Sequence, residues 1–259
     1  MHARSHPAET GSSFLVEGAV KQLLDDLGSG LEAARQLVYY IAPMHNADGV
    51  FVGNYRTDSS SRNLENQWIP EANQEVTLSA FAAGENQLLN GVMKDLAYNS
   101  VYEGDLLALN FHSSNSPVDT PAFAFPHFGD DPGTYNEQER ALWSKQLRLL
   151  AFLSNQYGGR FSPPPVEGGR EFLDFPFPET WWWRNMADRS VAMTIETVYS
   201  KGGFDRYITE DDIRDLGAAM TRSIYDYYSL TPTPGYVPQR YTGSKRTRSE
   251  LPDEIESKQ

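Results

Sequence analysis

The chain contains no cysteine. Disulfides and thiolate metal sites are therefore excluded, and any metal must rest on histidine and carboxylate ligands. The same absence fits a reducing compartment. The start, Met1-His2-Ala3-Arg4-Ser5, lacks the charged and apolar regions of a signal peptide, so a cytoplasmic location is favoured. No apolar run approaches the roughly 18–20 residues of a membrane span, and no membrane partner is expected. Basic residues are outnumbered, with 22 Lys and Arg against 35 Asp and Glu and a net charge of −13. Without a basic stripe the chain is a poor binder of nucleic acid or anionic lipid, because phosphate neutralisation needs clustered cations. Neutral or cationic partners suit it better.

What is present is ordinary for a folded protein: 259 residues, 39% hydrophobic and 22% charged. That is enough for one large domain or two small ones with a sizeable core. Phe14, Leu15, Ala19, Val20, Leu23, Leu24 and Leu27 recur at helical spacing until Gly28-Ser29-Gly30, predicting a helix. Leu37 to Pro43 reads as a buried parallel strand, and 46–67 as a polar loop. Residues 71–98 read as mostly helical, with Leu78, Phe81, Leu88, Leu89, Val92 and Leu96 on one side. Asp105 to Phe111 is a second buried strand with His112 just after it. A loop over 113–134, a helix over Asn136 to Asn155, a Gly/Pro-rich loop over Tyr157 to Pro178 and a strand over Ser190 to Thr197 follow. Thr209 with Glu210, Asp211 and Asp212 opens a helix to about Tyr228. Residues 230–259 are Pro-rich, then charged, and are expected to be a disordered tail. Strands alternating with helices imply an α/β fold with a mixed, largely parallel sheet flanked by helices. Sites in such sheets form at the carboxyl ends of strands.

Three candidates share that placement: His6, His112 and Glu196. A catalytic zinc has three protein ligands and an open position. His6 and His112 sit in loops just past apolar strands, and Glu9, spaced to converge with His6 on one ion, is the natural third ligand. Glu196 ends a strongly apolar strand, and a buried glutamate of raised pKa suits a general base. Each residue also has a bland reading. His112 alone reads as a hydrogen-bonding residue and Glu196 alone as an ion-pair partner. Trp181-Trp182-Trp183 reads as core plus one exposed ring. Tyr225, Tyr227 and Tyr228 read as helix packing, and His45 and His127 as solvent-exposed loop residues.

Longer motifs sharpen the choice. His6-Pro7-Ala8-Glu9-Thr10 resembles the His-Pro-Gly-Glu-Thr zinc motif of the zinc metallocarboxypeptidases, especially their cytosolic, deglutamylase-like branch. Asn46-Ala47-Asp48-Gly49-Val50-Phe51-Val52-Gly53-Asn54-Tyr55-Arg56 resembles that branch's Asn-Pro-Asp-Gly-Val…Gly-Asn-Tyr-Arg. Phe111-His112-Ser113 resembles the segment with the third zinc ligand, and Ile195-Glu196-Thr197 the segment with the general base. The likeness covers roughly residues 4–229. It implies one Zn2+ held by His6, Glu9 and His112, with Glu196 as general base. Arg56 would stabilise the oxyanion and touch substrate. The implied substrate is a peptide or another amide.

The departures bear on specificity. Where the family reads Asp-Leu-Asn-Arg, this chain reads Asn63-Leu64-Glu65-Asn66. The family's Asn and Arg there clamp the substrate's terminal carboxylate. The resemblance thus puts Glu65 and Asn66 in the substrate site, as a negative charge and a neutral amide, with Arg62 close enough to substitute. Asn110 stands where the family has an Asp behind the zinc histidine. No tyrosine aligns with the family's substrate-capping one; Phe175, Phe177 and Trp181 to Trp183 lie in that neighbourhood instead. Met1 to Ser5 is too short for the family's strands ahead of the zinc motif. Residues 1–229 are therefore expected to form an N-terminally incomplete catalytic domain lacking its first strands. Three functions remain open: a carboxypeptidase-like zinc peptidase of atypical specificity, a zinc amidase or deacylase on substrates without a terminal carboxylate, and an inactive binding module of the same fold.

Overall fold

The computed structural model describes residues 1–70, 75–99, 101, 104–115, 118–125, 132–161 and 175–230. The strands are β1 (His2–Ala3), β2 (Trp68–Ile69), β3 (Thr77–Leu78), β4 (Leu106–Ser114), β5 (Ala122–Phe125) and β6 (Ser190–Val198). The helices are α1 (Gly11–Ser29), α2 (Glu32–Arg35), α3 (Ala47–Val52), α4 (Gly84–Lys94), α5 (Glu137–Gln156), α6 (Pro178–Met186) and α7 (Glu210–Tyr227). The main sheet has the order β1-β4-β6-β5. β1, β4 and β6 are parallel, and β5 closes the edge antiparallel to β6. The fold is thus a mixed, mostly parallel sheet flanked by helices.

β4 and β6 are apolar because they are covered on both faces. Leu109, Phe111, Val191, Ala192, Met193 and Ile195 are all fully buried. Alternation assigns the faces. Ser113 and Thr197 point to the start of α1, joined by a 2.7 Å hydroxyl bond. Asn110, His112, Thr194 and Glu196 share the opposite face, where Thr194 donates to Glu179 of α6 at 3.0 Å. In the β4–β6 register His112 stands directly beside Glu196.

α1 and α7 cross in backbone contact. A Cβ on Gly18 would come within 2.6 Å of Arg214 backbone atoms, and one on Gly217 within 2.6 Å of Ala19 N. Only glycine permits that approach. Thr221 Oγ1 also donates to Ala19 O at 3.0 Å.

Several expectations change. Met1–Ser5 does supply a strand: His2 and Ala3 pair with Asn110 and Phe111, directly ahead of His6. Leu37–Pro43 is not a buried strand. Ala42 bridges His2, while Val38 and Tyr40 are 57% and 43% exposed, so the segment is an extended edge buried on one face only. His112 lies inside β4, which runs on to Ser114. The polar loop carries α3, capped by Asn46 Oδ1 accepting from Gly49 N. β5 appears in the expected 113–134 loop. Among the described residues of 71–98 the regular helix is only α4, which runs into a π-helical turn over Asp95–Asn99. Its inward face is Asn86, Asn90 and Met93, while Phe81, Leu88 and Val92 are exposed. Trp181, Trp182 and Trp183 are all buried, leaving no exposed ring. His45 is buried too, with Nε2 2.6 Å from Asn86 Oδ1. His127, residues 162–174 and the tail from 231 lie outside the described residues.

Candidate metal centre

Two loops and two strands meet at the site. His6 to Thr10 links β1 to α1, and Arg4 braces that loop by donating to Pro7 O and to Ser13 Oγ. Glu9 O accepts from the Ser12 hydroxyl at 2.7 Å, fixing the turn into α1. β4 brings His112 and β6 brings Glu196.

The ligand atoms converge. His6 Nδ1 lies 2.7 Å from Glu9 Oε1, and His112 Nδ1 lies 2.7 Å from Glu9 Oε2. Ser113 N donates to the same Oε2 at 3.1 Å. One donor atom from each of His6, Glu9 and His112 falls within 4.8 Å of the others. Two imidazole nitrogens and one carboxylate oxygen are a donor set that zinc accepts while keeping a position open. The far sides of both rings are held as well. Asn63 Oδ1, which also accepts from Glu65 N, is 3.2 Å from His6 Nε2. An oxygen only accepts, so Asn63 favours the His6 tautomer with its proton on Nε2, the form that would leave Nδ1 free for an ion. His112 Nε2 is 3.2 Å from Glu65 Oε2.

The charges follow from burial and proximity. Burial pushes the Glu9 carboxyl up, but hydrogen bonds from His112 and His6 outweigh it and hold it at about 2. Burial likewise opposes the charge on Glu65, yet His112, His6 and His2 hold its carboxyl well below the usual range. His112, between Glu65 and Glu9, is raised well above an ordinary imidazole despite its burial. Glu196 goes the other way: burial, with Glu9 and Glu65 nearby, pushes it up to about 8 against the pull of His112.

Glu196 and Arg56 line a cavity of about 340 Å3 with His6, Glu9, Tyr55 and Tyr199. Arg56 Nη1 lies 4.0 Å from Glu9 Oε1.

No family model matches the chain. Curated relatives do. Cytosolic carboxypeptidase 6 of Mus musculus is 39% identical over 236 residues, covering 88% of this chain and 39% of that protein. Its Homo sapiens namesake is 26% identical over 232 residues, covering 88% and 43%. Two solved structures share the fold. A Pseudomonas aeruginosa metallo-carboxypeptidase superposes with a TM-score of 0.66 at 19% identity, covering 88% of this chain and 56% of that one. One from Burkholderia cenocepacia gives 0.64 at 21% identity, with the same coverage. The chain belongs to the carboxypeptidase-like family. It spans about two fifths of the length of the curated relatives it matches.

In this carboxypeptidase-like chain His6, Glu9, Arg56, His112 and Glu196 come together, as the motifs lead one to expect. The other candidates do not reach the cavity. Arg62 is engaged by Asp58, with Nη2 to Oδ2 at 2.6 Å. Asn66 is exposed outside the cavity lining. Glu65 is buried behind His112, where Asn110 Nδ2 donates to its other oxygen at 2.7 Å. Phe175, Phe177 and the three tryptophans are not in the lining either. Two tyrosines are: Tyr199, to which no motif points, and Tyr55, which lies in a quoted motif but carried no expected role. Tyr199 donates to Ala8 O at 3.2 Å, and Tyr55 closes the sequence motif before Arg56. Asn63 was also missed as the partner of His6, although it lies in a quoted motif.

Proposed function

We propose that the chain is a zinc-dependent hydrolase that cleaves an amide bond, a carboxypeptidase-like peptidase of atypical specificity. The convergence of His6, Glu9 and His112 on one point, with Glu196 and Arg56 lining the same cavity, carries this reading. His6, Glu9 and His112 would hold the ion, which when bound polarises a carbonyl and lowers the pKa of a water. Glu196 takes the proton of the attacking water and passes it to the leaving amine; a partly buried carboxyl with a raised proton affinity is suited to both transfers. Arg56 offers a guanidinium to the oxygen on which negative charge develops. The names of the curated relatives support a peptide substrate and a cytoplasmic setting.

A second reading has its own support. The two residues in the position of the carboxylate clamp, Glu65 and Asn66, both lie outside the cavity lining, and Arg62 is engaged elsewhere. That favours a substrate without a free terminal carboxylate. Zinc content and turnover of matched peptides, one set with free carboxyl termini and one with amidated termini, separate the cases. Zinc near one equivalent with turnover of free acids supports the peptidase. Turnover of amidated peptides alone supports the amidase. Less than a tenth of an equivalent, with no uptake on adding zinc, sinks both readings and leaves a binding module.

A further inference from the structure

Glu65 sits where the sequence likeness expects a substrate contact, yet its side chain turns inward. Its surroundings suggest another task. Leu64–Asn66 is a single 3-10 turn capped by Asn63, whose Oδ1 accepts from Glu65 N at 3.0 Å. The turn sends Asn66 to solvent and Glu65 into the protein, where its side chain is 8% exposed. A carboxylate so buried is costly unless charges and hydrogen bonds meet both oxygens. Here both are met from β4. Asn110 Nδ2 donates to Oε1 at 2.7 Å, and His112 Nε2 lies 3.2 Å from Oε2. Among the described residues neither His112 Nε2 nor Glu65 Oε2 has a hydrogen-bond partner, so the ion pair between them is what meets each atom. Asn110 and His112 are two residues apart on one strand, so they present both groups to Glu65 from the same face.

We propose that Glu65 is the positioning residue of His112: it holds the ring from behind, keeps the proton on Nε2 and aims Nδ1 at the metal site. Asn63 does the same for His6, so one short turn backs both imidazoles. A carboxylate partner also raises the basicity of the opposite ring nitrogen, and loss of such partners weakens metal binding about 10–100-fold. This role rests on the zinc reading above.

The test is the zinc dissociation constant, measured by competition with a chromophoric chelator, for the wild type and for Glu65→Gln. The substitution keeps the shape and removes the charge. Zinc binding about 10–100-fold weaker is expected, with a metal-free melting temperature equal to or above that of the wild type, because a buried charge has gone. An affinity within twofold of wild type overturns the proposal. So does a weaker affinity matched by a fall in the metal-free melting temperature, which would mark a merely structural role. Should Glu65→Gln not fold, Asn110→Ser loosens the same carboxylate, and an unchanged zinc affinity there also overturns it. A wild type that takes up no zinc is a different failure, removing the metal centre itself.

Discussion

Replacing Glu196 by glutamine should change how stability depends on pH. In the metal-free protein burial holds the Glu196 carboxyl at about 8, against an ordinary 4.5. Below pH 4.5 both folded and unfolded chains keep this proton, and the group contributes nothing to the pH dependence. Between the two values the unfolded chain has released it and the folded chain has not, so stability falls as pH rises, and the loss levels off above about pH 8. Each unit of separation is worth about 1.4 kcal/mol. Integrated from pH 5 to pH 8, the wild type should lose about 3–4 kcal/mol that Glu196→Gln does not lose. Urea unfolding of both proteins in chelator at pH 5 and pH 8 measures this double difference, in which the titrating groups remote from Glu196 cancel. A difference under about 1 kcal/mol would show that Glu196 is ionised in the folded, metal-free protein. The same variant should lose about 10²–10⁴-fold in turnover if Glu196 handles the proton.

Two further substitutions probe the frame around the site. Gly217→Ala puts a methyl group against the α1 backbone and should cost about 1–3 kcal/mol, read as a lower melting temperature; an unchanged value would mean that α1 and α7 are not in backbone contact. Thr209→Ala removes the α7 cap, in which Thr209 Oγ1 accepts from Asp212 N and donates to Asp212 Oδ2. It should cost about 1 kcal/mol in denaturant unfolding, with zinc affinity unchanged, and a loss of zinc binding would show that the cap reaches the metal centre.

The residues that converge on the candidate site were legible because each rides on a strong local signal. His6 and Glu9 share one short loop, while His112 and Glu196 lie on strands so apolar that a polar residue stands out. α5 and α7 were legible for a similar reason, since both carry capping boxes that close within four residues. What escaped depends on partners distant in sequence. α4 turns Asn86 and Asn90 inward because Asn86 bonds His45, Leu64 O and Gln67 Oε1, so its exposed Leu88 and Val92 misled the apolar pattern. His45 looked like a loop residue because Asn86 is 41 residues away. Leu37–Pro43 was apolar enough for a central strand, but among the described residues only β1 lies alongside it. Glu65 was read as a substrate contact because a linear motif does not tell which way a 3-10 turn faces.

The α1–α7 crossing sets a schedule for assembly. His6 and Glu9 directly precede α1, but that helix is clamped by a partner 202 residues later, through Thr221 and Ala19. At about 5–20 residues per second, roughly 10–40 s separate the synthesis of α1 from that of its clamp, and for that time the candidate ligands His6 and Glu9 stand on an unpaired helix. The candidate metal centre therefore takes its final shape only after α7 has been made.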